Sequence, residues 1–321
     1  GIEDCEPLTN DSLFDLKSPP SRLIILGAGA IGCEMAQAFA KLGTDVNLVE
    51  IAERILPLEE DDASAAIAEA LLEAGVTIHT GSAVTAVSTQ DSTISVHMQE
   101  PPVTADRLLV AAGRRANIDG LALATAGVET ENGLIKVDKR MRTTNRRIFA
   151  AGDVCSSRQF THNADAQARI VVQNALFAPT ASSAKLVIPH CTYTRPEVAQ
   201  VGNLRRELEE QGTAYDVYRV ELNELDRSRI ADDTKGFVEV ITRKGRDHIL
   251  GATIVAHDAG EQIASLCLAM THKIGLGEIG KVVLPYPTRS EYLRQLSNAY
   301  NRTRLTPRAK RLMTHWFRWS A

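Results

Sequence analysis

The 321-residue sequence lacks the features of several protein classes. It contains no apolar run of about 18 residues or more, so no transmembrane helix is predicted, and its first residues do not resemble a signal peptide. It also lacks an excess of positive charge, since its net charge is −4, and proteins that bind nucleic acids are usually basic. We therefore expect a globular protein that has no nucleic-acid partner.

Cysteine pairs and metal-ligand spacings are also missing. The five cysteines are odd in number and widely separated, which favours a reducing, cytoplasmic location over a disulfide framework. They form no C-x-x-C or C-x4-C pair, so the chain has no local redox dithiol. His190 and Cys191 are adjacent, but neighbouring side chains on a strand point to opposite faces. We expect no metal site.

The order of predicted elements indicates more than one domain. Strands alternate with helices up to Gly113, which predicts a parallel, doubly wound sheet. A polar, turn-rich segment follows, and then a buried strand is predicted over 148–153 and a helix over 163–177. From Leu186 onward, antiparallel strands mixed with helices predict an α+β domain.

A glycine loop, residues 27–32, has the pattern G-x-G-x-x-G between a predicted strand over 23–26 and a predicted helix over 33–42. This context is typical of a dinucleotide-binding βαβ unit. Gly27 permits the tight turn, Gly29 lets the backbone approach a pyrophosphate, and Gly32 lets the helix pack on the sheet. The helix N-terminus then offers N–H groups to the phosphates. The predicted phosphate-binding residues are Gly27, Gly29, Ala30, Ile31 and Gly32.

Glu50 ends the second predicted strand, where an acidic side chain can accept hydrogen bonds from the adenosine ribose hydroxyls. A carboxylate at this position repels a 2′-phosphate, so we predict NAD(H) rather than NADP(H). Arg54 leaves the alternative open, because a nearby arginine could hold that phosphate.

Five motifs follow one another along the chain: the glycine loop and residues 111–114, 148–153, 193–202 and 285–291. Together they resemble the flavin-dependent pyridine nucleotide–disulfide oxidoreductases, and most closely the mercuric reductase-like members. The resemblance covers nearly the whole chain, and the motifs stand in the family's order.

The family order is flavin domain, NAD domain, central flavin segment and interface domain, and this chain starts just before the NAD domain. The resemblance therefore implies the C-terminal portion of a longer flavoenzyme, without the domain that carries the active disulfide. The absence of an initiator Met agrees with this. The expected organisation is a lead-in over 1–20, an NAD(P)-binding Rossmann-like domain over 21–117, a central segment completing the FAD domain over 118–183, and a dimerisation domain over 184–321.

The resemblance also implies roles for individual residues. Asp153 corresponds to a carboxylate that binds the FAD ribitol, and Gly113 lies in a cofactor-site landmark. Thr161 and His162 begin a helix whose positive end faces the flavin and stabilises its anionic reduced form. Glu34 matches a glutamate near the nicotinamide, although a solvated helix position is an equal alternative. Asp153 and His162 could likewise be ordinary surface residues.

Tyr286 and Glu291 stand where the family's disulfide reductases carry a His-Glu pair that acts from the second subunit. With a reference pKa of about 10, tyrosine is a poor base, which argues against glutathione or lipoamide reduction. Mercuric reductases also carry tyrosine here, but they end in a Cys-Cys pair, and this chain has no cysteine after Cys267. The alternative for Tyr286 is a packed aromatic between two prolines.

The predicted function of the parent protein is transfer of hydride from NADH to FAD and then of electrons to a thiol, disulfide or metal-ion acceptor, in a homodimer. Three alternatives remain: a non-catalytic NAD-binding and dimerisation fragment, a dihydrolipoyl dehydrogenase-like enzyme, and a regulatory NAD-sensing module. The basic, aromatic tail over 302–319 is expected to pack on its own domain, with contact to a membrane surface or continuation into a further domain as alternatives.

Overall fold

The computed structural model describes residues 1–99 and 101–320 of the chain. It consists of two compact units. One contains residues 1–112 together with residues from 191 onward, and the other contains residues 113–190.

The strands in the N-terminal part of the first unit are β1 (Arg22–Leu26), β2 (Asp45–Val49), β3 (Thr77–His79), β4 (Ala86–Gln90), β5 (Thr93–His97), β6 (Val103–Ala105) and β7 (Arg107–Val110). They form a parallel sheet of four strands in the order β3-β2-β1-β7 and an antiparallel sheet in the order β4-β5-β6. The helices are α1 (Ala30–Lys41) and α2 (Asp61–Glu73). In the lead-in, Leu8 forms a parallel bridge with Leu109 of β7.

Strand β1 explains how both faces of the parallel sheet are buried. Its alternating residues Leu23 and Ile25 pack in a cluster with α1 and α2, while Ile24 and Leu26 pack in a second cluster with residues of β4, β5 and β6. Because both faces are covered, successive residues of the strand from Leu23 to Leu26 are all apolar. The predicted parallel sheet is confirmed, with α1 and α2 against one face and the antiparallel sheet against the other.

The second unit contains the short strands β8 (Thr130–Glu131) and β9 (Leu134–Ile135) and the helix α3 (Thr161–Leu176).

The C-terminal part of the chain forms five strands and six helices among the described residues. The strands are β10 (His190–Thr192), β11 (Glu197–Gly202), β12 (Tyr215–Glu221), β13 (Phe237–Arg243) and β14 (Ile249–Ala256). They form one sheet in the order β10-β11-β14-β13-β12. The helices are α4 (Arg205–Glu210), α5 (Asp226–Ile230), α6 (Ala259–Thr271), α7 (Leu276–Ile279), α8 (Glu291–Thr303) and α9 (Pro307–Ser320).

The two parts of the first unit share one apolar core. Val198, Phe237 and Val255 of the C-terminal sheet belong to the same buried cluster as α1 and α2. This contact fixes the nucleotide-binding part against the C-terminal part.

A cluster of charges at the same boundary, which we name the boundary ion cluster, consists of Glu60, Asp62, Arg205, Arg219 and Glu239. The Arg205 guanidinium lies 3.1 Å from Glu60 and 3.4 Å from Glu239, and both glutamates are buried. Arg219 lies 2.6 Å from Asp62. Burial raises the pKa of Glu239 above its usual value, and Arg205 counteracts this shift. Arg205 therefore provides a positive charge next to two buried carboxylates.

The second unit departs from the predicted buried strand over 148–153. Only an isolated antiparallel bridge between Arg142 and Phe149 forms there, with the Ala150 N–H donating to Met141 O at 3.1 Å. This prediction is wrong, because a strand needs a continuous ladder of backbone partners, and among the described residues this segment has one bridge.

The C-terminal helix α9 does not pack on its own domain as expected. Of its side chains that the structure describes, through residue 319, all are exposed except the half-buried Ala309. Within the described residues, no helix is both long and apolar enough to cross a membrane.

Candidate functional site

The glycine loop lies between the end of β1 and the start of α1, at the carboxyl edge of the parallel sheet. Gly27 has a φ of +97°, and a Cβ there would lie 2.7 Å from the carbonyl oxygen of Ala111. A Cβ on Gly32 would collide with the carbonyl oxygen of Gly27. These two glycines are thus required by the fold itself, the first for its turn and the second for the close approach of α1 to the loop.

Gly29 differs from the other two glycines. It is the N-cap of α1, with a φ of −73°, and a Cβ there would have no protein atom of the described chain within 4 Å. No side chain among the described residues caps this helix. The N–H groups of the first turn, which include those of Ala30 and Ile31, have no partner within the helix and form the positive end of the dipole of this 12-residue helix. The absence of a side chain at Gly29 leaves space where a pyrophosphate can approach these groups.

Glu50 follows β2 and is 9% exposed. Its Oε2 accepts a hydrogen bond from Ala28 N–H at 2.7 Å, and its Oε1 accepts one from Ala52 N–H at 2.9 Å. Each carboxylate oxygen can accept a further bond, so ribose hydroxyls remain possible donors. The carboxylate therefore braces the glycine loop as well as supplying negative charge beside it, a bracing role that the sequence did not indicate.

Arg54 is turned towards its own loop. Its guanidinium donates to the carbonyl oxygens of Leu56, Pro57 and Glu59 at 3.0–3.2 Å, and it lies 3.0 Å from Asp61. These contacts engage Nη2 and one hydrogen of Nη1, and they direct the guanidinium to its own loop. The arrangement is consistent with the preference for NAD(H) expected from Glu50.

Glu34, predicted either near a nicotinamide or in solvent, is half-buried on α1. Its Oε1 accepts a hydrogen bond from Tyr193 N–H at 2.8 Å, and burial raises its pKa despite this bond. One turn further on, Gln37 exchanges two hydrogen bonds with the backbone of Arg195, at 2.7 and 2.9 Å. This face of α1 thus binds the start of the C-terminal part. The spacing of Glu34 and Gln37, three residues apart on one helix face, can be read from the sequence. Their binding to the backbone of residues 193 and 195 cannot.

The second unit contains the residues assigned to FAD. Asp153 is exposed and follows Gly152, which has a φ of +83° and packs against Ala164 of α3. Gly152 N–H also donates to Gln167 of α3 at 2.7 Å. These contacts bring the Asp153 loop onto α3. Gly113, at the start of this unit, has a φ of +110° and open space at its Cβ position.

Helix α3 begins at Thr161, and no side chain of the described residues caps it. His162 is exposed, its Nε2 lies 2.7 Å from Pro189 O, and its ring stacks on Phe160 with a centroid distance of 5.4 Å. The exposed Asp153 carboxylate can accept hydrogen bonds from ligand hydroxyls. The uncapped N-terminus of the 16-residue helix α3 can bind an electron-rich ring edge of the same ligand. The residues present are compatible with FAD.

The structure does not join Tyr286 and Glu291 by a hydrogen bond. The exposed Tyr286 hydroxyl donates to Asp226 at 2.7 Å, and this bond raises the pKa of the phenol. Glu291 pairs with Arg294 at 2.6 Å, and its Oε2 is buried without a protein partner among the described residues. Asp226 was not predicted, because it lies 60 residues away in the sequence.

Sequence comparison gives matches along most of the chain. Residues 2–168 match the family "Pyridine nucleotide-disulphide oxidoreductase", and residues 188–297 match its dimerisation domain. A mercuric reductase from Streptomyces lividans is 33% identical over 305 residues, which cover 94% of this chain and 64% of the relative. A dihydrolipoyl dehydrogenase from Chlorobaculum tepidum is 33% identical over 293 residues, which cover 90% of this chain and 62% of the relative. The chain thus spans less than two thirds of these relatives.

Among solved structures, the HOCl-induced flavoprotein disulfide reductase RclA from Escherichia coli superposes with a TM-score of 0.84 at 29% identity. The match covers 91% of this chain and 67% of that chain. These findings confirm the resemblance, including its mercuric reductase-like character, and the predicted fold class of a Rossmann-like part followed by an α+β dimerisation part.

Proposed function

Since the chain belongs to the pyridine nucleotide-disulphide oxidoreductase family, we propose that it binds NAD(H) at the glycine loop as part of an FAD-dependent oxidoreductase. The observation that carries this proposal is the open position at Gly29. The two neighbouring glycines are explained by the fold, but Gly29 meets no protein atom within 4 Å that would require it. A ligand that presses against the backbone accounts for glycine there.

The preference for NAD(H) over NADP(H) is supported by Glu50 and Arg54. Within the part of the chain that the structure describes, the Glu50 carboxylate accepts hydrogen bonds from the N–H groups of Ala28 and Ala52, and from no arginine or lysine. Its negative charge disfavours a 2′-phosphate on the ribose beside it. Arg54 is occupied by carbonyl oxygens and Asp61, so it does not offset that charge.

Asp153 and the N-terminus of α3 are proposed to hold FAD, Asp153 by accepting bonds from ribitol hydroxyls and the helix end by its dipole. FAD, when bound, supplies the redox chemistry between the nicotinamide and the final acceptor. The contribution of this chain is to position the two cofactors and their charges. The domain limits proposed are those predicted, 1–20, 21–117, 118–183 and 184–321.

The acceptor is proposed to be a thiol, disulfide or metal ion, in a homodimer in which Tyr286 reaches the partner's flavin. The bond to Asp226 keeps the phenol of Tyr286 protonated at neutral pH, so it can donate a proton but not accept one. This supports an acceptor that needs no base at that position. Val283 and Tyr286, exposed by 95% and 69%, provide apolar surface that a partner subunit can cover. The five free cysteines support a cytoplasmic location.

The test is calorimetric titration of NADH and NADPH into wild type and Glu50→Gln. We expect wild type to bind NADH more tightly than NADPH. Glu50→Gln keeps the size of the side chain but removes its charge, so NADH binding should weaken by about tenfold and the preference for NADH should shrink. The ratio of the NADH and NADPH affinities is the informative readout, because a loosened loop would weaken the binding of both nucleotides equally.

Glu53→Gln is the matched control. Glu53 is exposed in the same loop, and its replacement changes the net charge equally without touching Glu50. Equal affinities for the two nucleotides in wild type, or an unchanged preference in Glu50→Gln, would contradict the assignment of Glu50. Failure of wild type to bind either nucleotide would contradict the nucleotide site.

A further inference from the structure

Helix α9 carries a continuous apolar face. Its five large apolar side chains fall at positions that a helix brings to one side. They are Leu312, Met313, Trp316, Phe317 and Trp319. All five are exposed, by 46% to 80%. Trp316 and Trp319 contact each other, with ring centroids 5.9 Å apart. A face of this size is costly to leave in water, so it requires a partner.

The rest of the helix surface, the polar face, is cationic. Arg311 and Arg318 lie opposite the apolar face together with His315, and Arg308 and Lys310 lie along its two edges; all four cations are exposed. No acidic residue occurs anywhere between Tyr292 and Ala321, although the whole chain has a net charge of −4. Arg302 and Arg304, also exposed, extend the positive charge into the preceding segment. Positive charge is therefore concentrated around the apolar face.

The combination identifies the partner by its chemistry. The cationic residues of α9 recur along its length, from Arg308 to Arg318, so this helix suits the surface of a bilayer rather than its hydrocarbon core. Tryptophan and phenylalanine are suited to the boundary between headgroups and acyl chains, and arginine and lysine are attracted to anionic headgroups. An apolar groove on a protein would match the first face but would not explain the exclusion of acidic residues from the second.

We propose that α9 is an interfacial helix that binds the chain to an anionic lipid surface. The apolar face enters the headgroup region, and the four cations of the polar face contact lipid phosphates. This inference concerns the location of the protein and is independent of its nucleotide site. It replaces the expectation that the tail packs on its own domain.

The chain offers a direct readout, since Trp316 and Trp319 are its only tryptophans. Tryptophan emission of the whole chain is recorded during titration with phosphatidylcholine vesicles and with vesicles that also contain phosphatidylglycerol. A blue shift is expected with the anionic vesicles only. It should weaken strongly at high salt, because the screening length falls to about 3 Å at 1 M.

Two variants separate charge from apolar contact. Replacing Arg308, Lys310, Arg311 and Arg318 with glutamine should weaken vesicle binding by about 600-fold, at about fivefold for each of the four charges. The matched control replaces four exposed cations elsewhere, Lys139, Arg140, Arg146 and Arg147, and should bind like wild type. In the second variant, Leu312→Gln with Phe317→Gln should also lose binding while keeping both tryptophans.

Three results would overturn the proposal. The first is no blue shift with anionic vesicles. The second is equal binding to the neutral and anionic vesicles. The third is an emission already blue-shifted without lipid, combined with loss of a dimer in the apolar-face variant on light scattering, since α9 would then be covered by a second copy of the chain.

Discussion

Replacing Gly29 with alanine is expected to weaken NADH binding by about a hundredfold without unfolding the protein. A methyl group at this position meets no protein atom within 4 Å, and the φ of −73° is accessible to alanine. Alanine is a poorer N-cap than glycine, but it also lowers the entropy of the unfolded chain, and these effects of about 0.5–1 kcal/mol oppose each other. The methyl group would, however, occupy the space assigned to the pyrophosphate.

Gly32→Ala provides the contrast within the same motif. Its methyl group would collide with the carbonyl oxygen of Gly27, and that atom belongs to the backbone, so α1 itself must move. We expect a loss of about 2–3 kcal/mol in the free energy of unfolding. Thermal unfolding and NADH calorimetry on both variants separate the roles. Wild-type NADH affinity in a normally folded Gly29→Ala protein would show that the pyrophosphate does not bind at this loop.

Arg205→Met is expected to destabilise the chain by about 3–5 kcal/mol, the cost of leaving buried carboxylates without their partner. Methionine keeps much of the aliphatic length of arginine, so the loss reports mainly on charge. Glu60 and Glu239 are only 6% and 2% exposed. Arg205 contacts Glu60 across the boundary between the two parts of the first unit, and Glu239 within its own part. Denaturant unfolding measures the effect.

The sign of the pH dependence identifies the cause. Burial already raises the pKa of Glu239, and loss of Arg205 should raise it further. A carboxyl whose pKa is raised in the folded state costs no stability at a pH below its pKa in the unfolded chain, which is about 4.3. The cost grows as the pH rises above that value and is complete once the pH exceeds the pKa in the folded state. The difference between Arg205→Met and wild type should therefore shrink as the pH falls from 8 towards that range.

The control for this variant is Arg169→Met, which removes an exposed arginine paired with Asp165 on α3. Exposed pairs contribute little, so its unfolding midpoint should match that of wild type at every pH. If Arg205→Met lowered the free energy of unfolding by the same amount at every pH, the effect would come from packing and not from the buried carboxylates.

Local patterns predicted much of the fold. The apolar run of β1, the glycines after it and the apolar period of α1 are short-range signals, and the structure has these elements within a few residues of the predicted ones. The acidic residue at the end of β2 was found in the same way, because its spacing from the glycine loop follows from the length of one βα unit.

Long-range pairing accounts for the differences. The contact of Tyr286 with Asp226 and that of Glu34 with Tyr193 join residues 60 and 159 positions apart, and no local pattern indicates them. The strand predicted over 148–153 had the right composition, but a strand also depends on neighbours that the segment itself does not specify. The exposed position of α9 was missed for a similar reason, since amphipathicity indicates an apolar partner without indicating which one.

Hydrogen exchange with and without saturating NADH tests the central claim most directly, because it locates the ligand on the chain. We predict slower exchange for amides of the glycine loop and the first turn of α1, and for the segment around Glu50. Protection confined to another region would contradict the account, and one such region is the cleft of about 820 Å³ bordered by Lys41, Glu73 and Lys235. Unchanged exchange of the glycine loop at saturating NADH would contradict it equally.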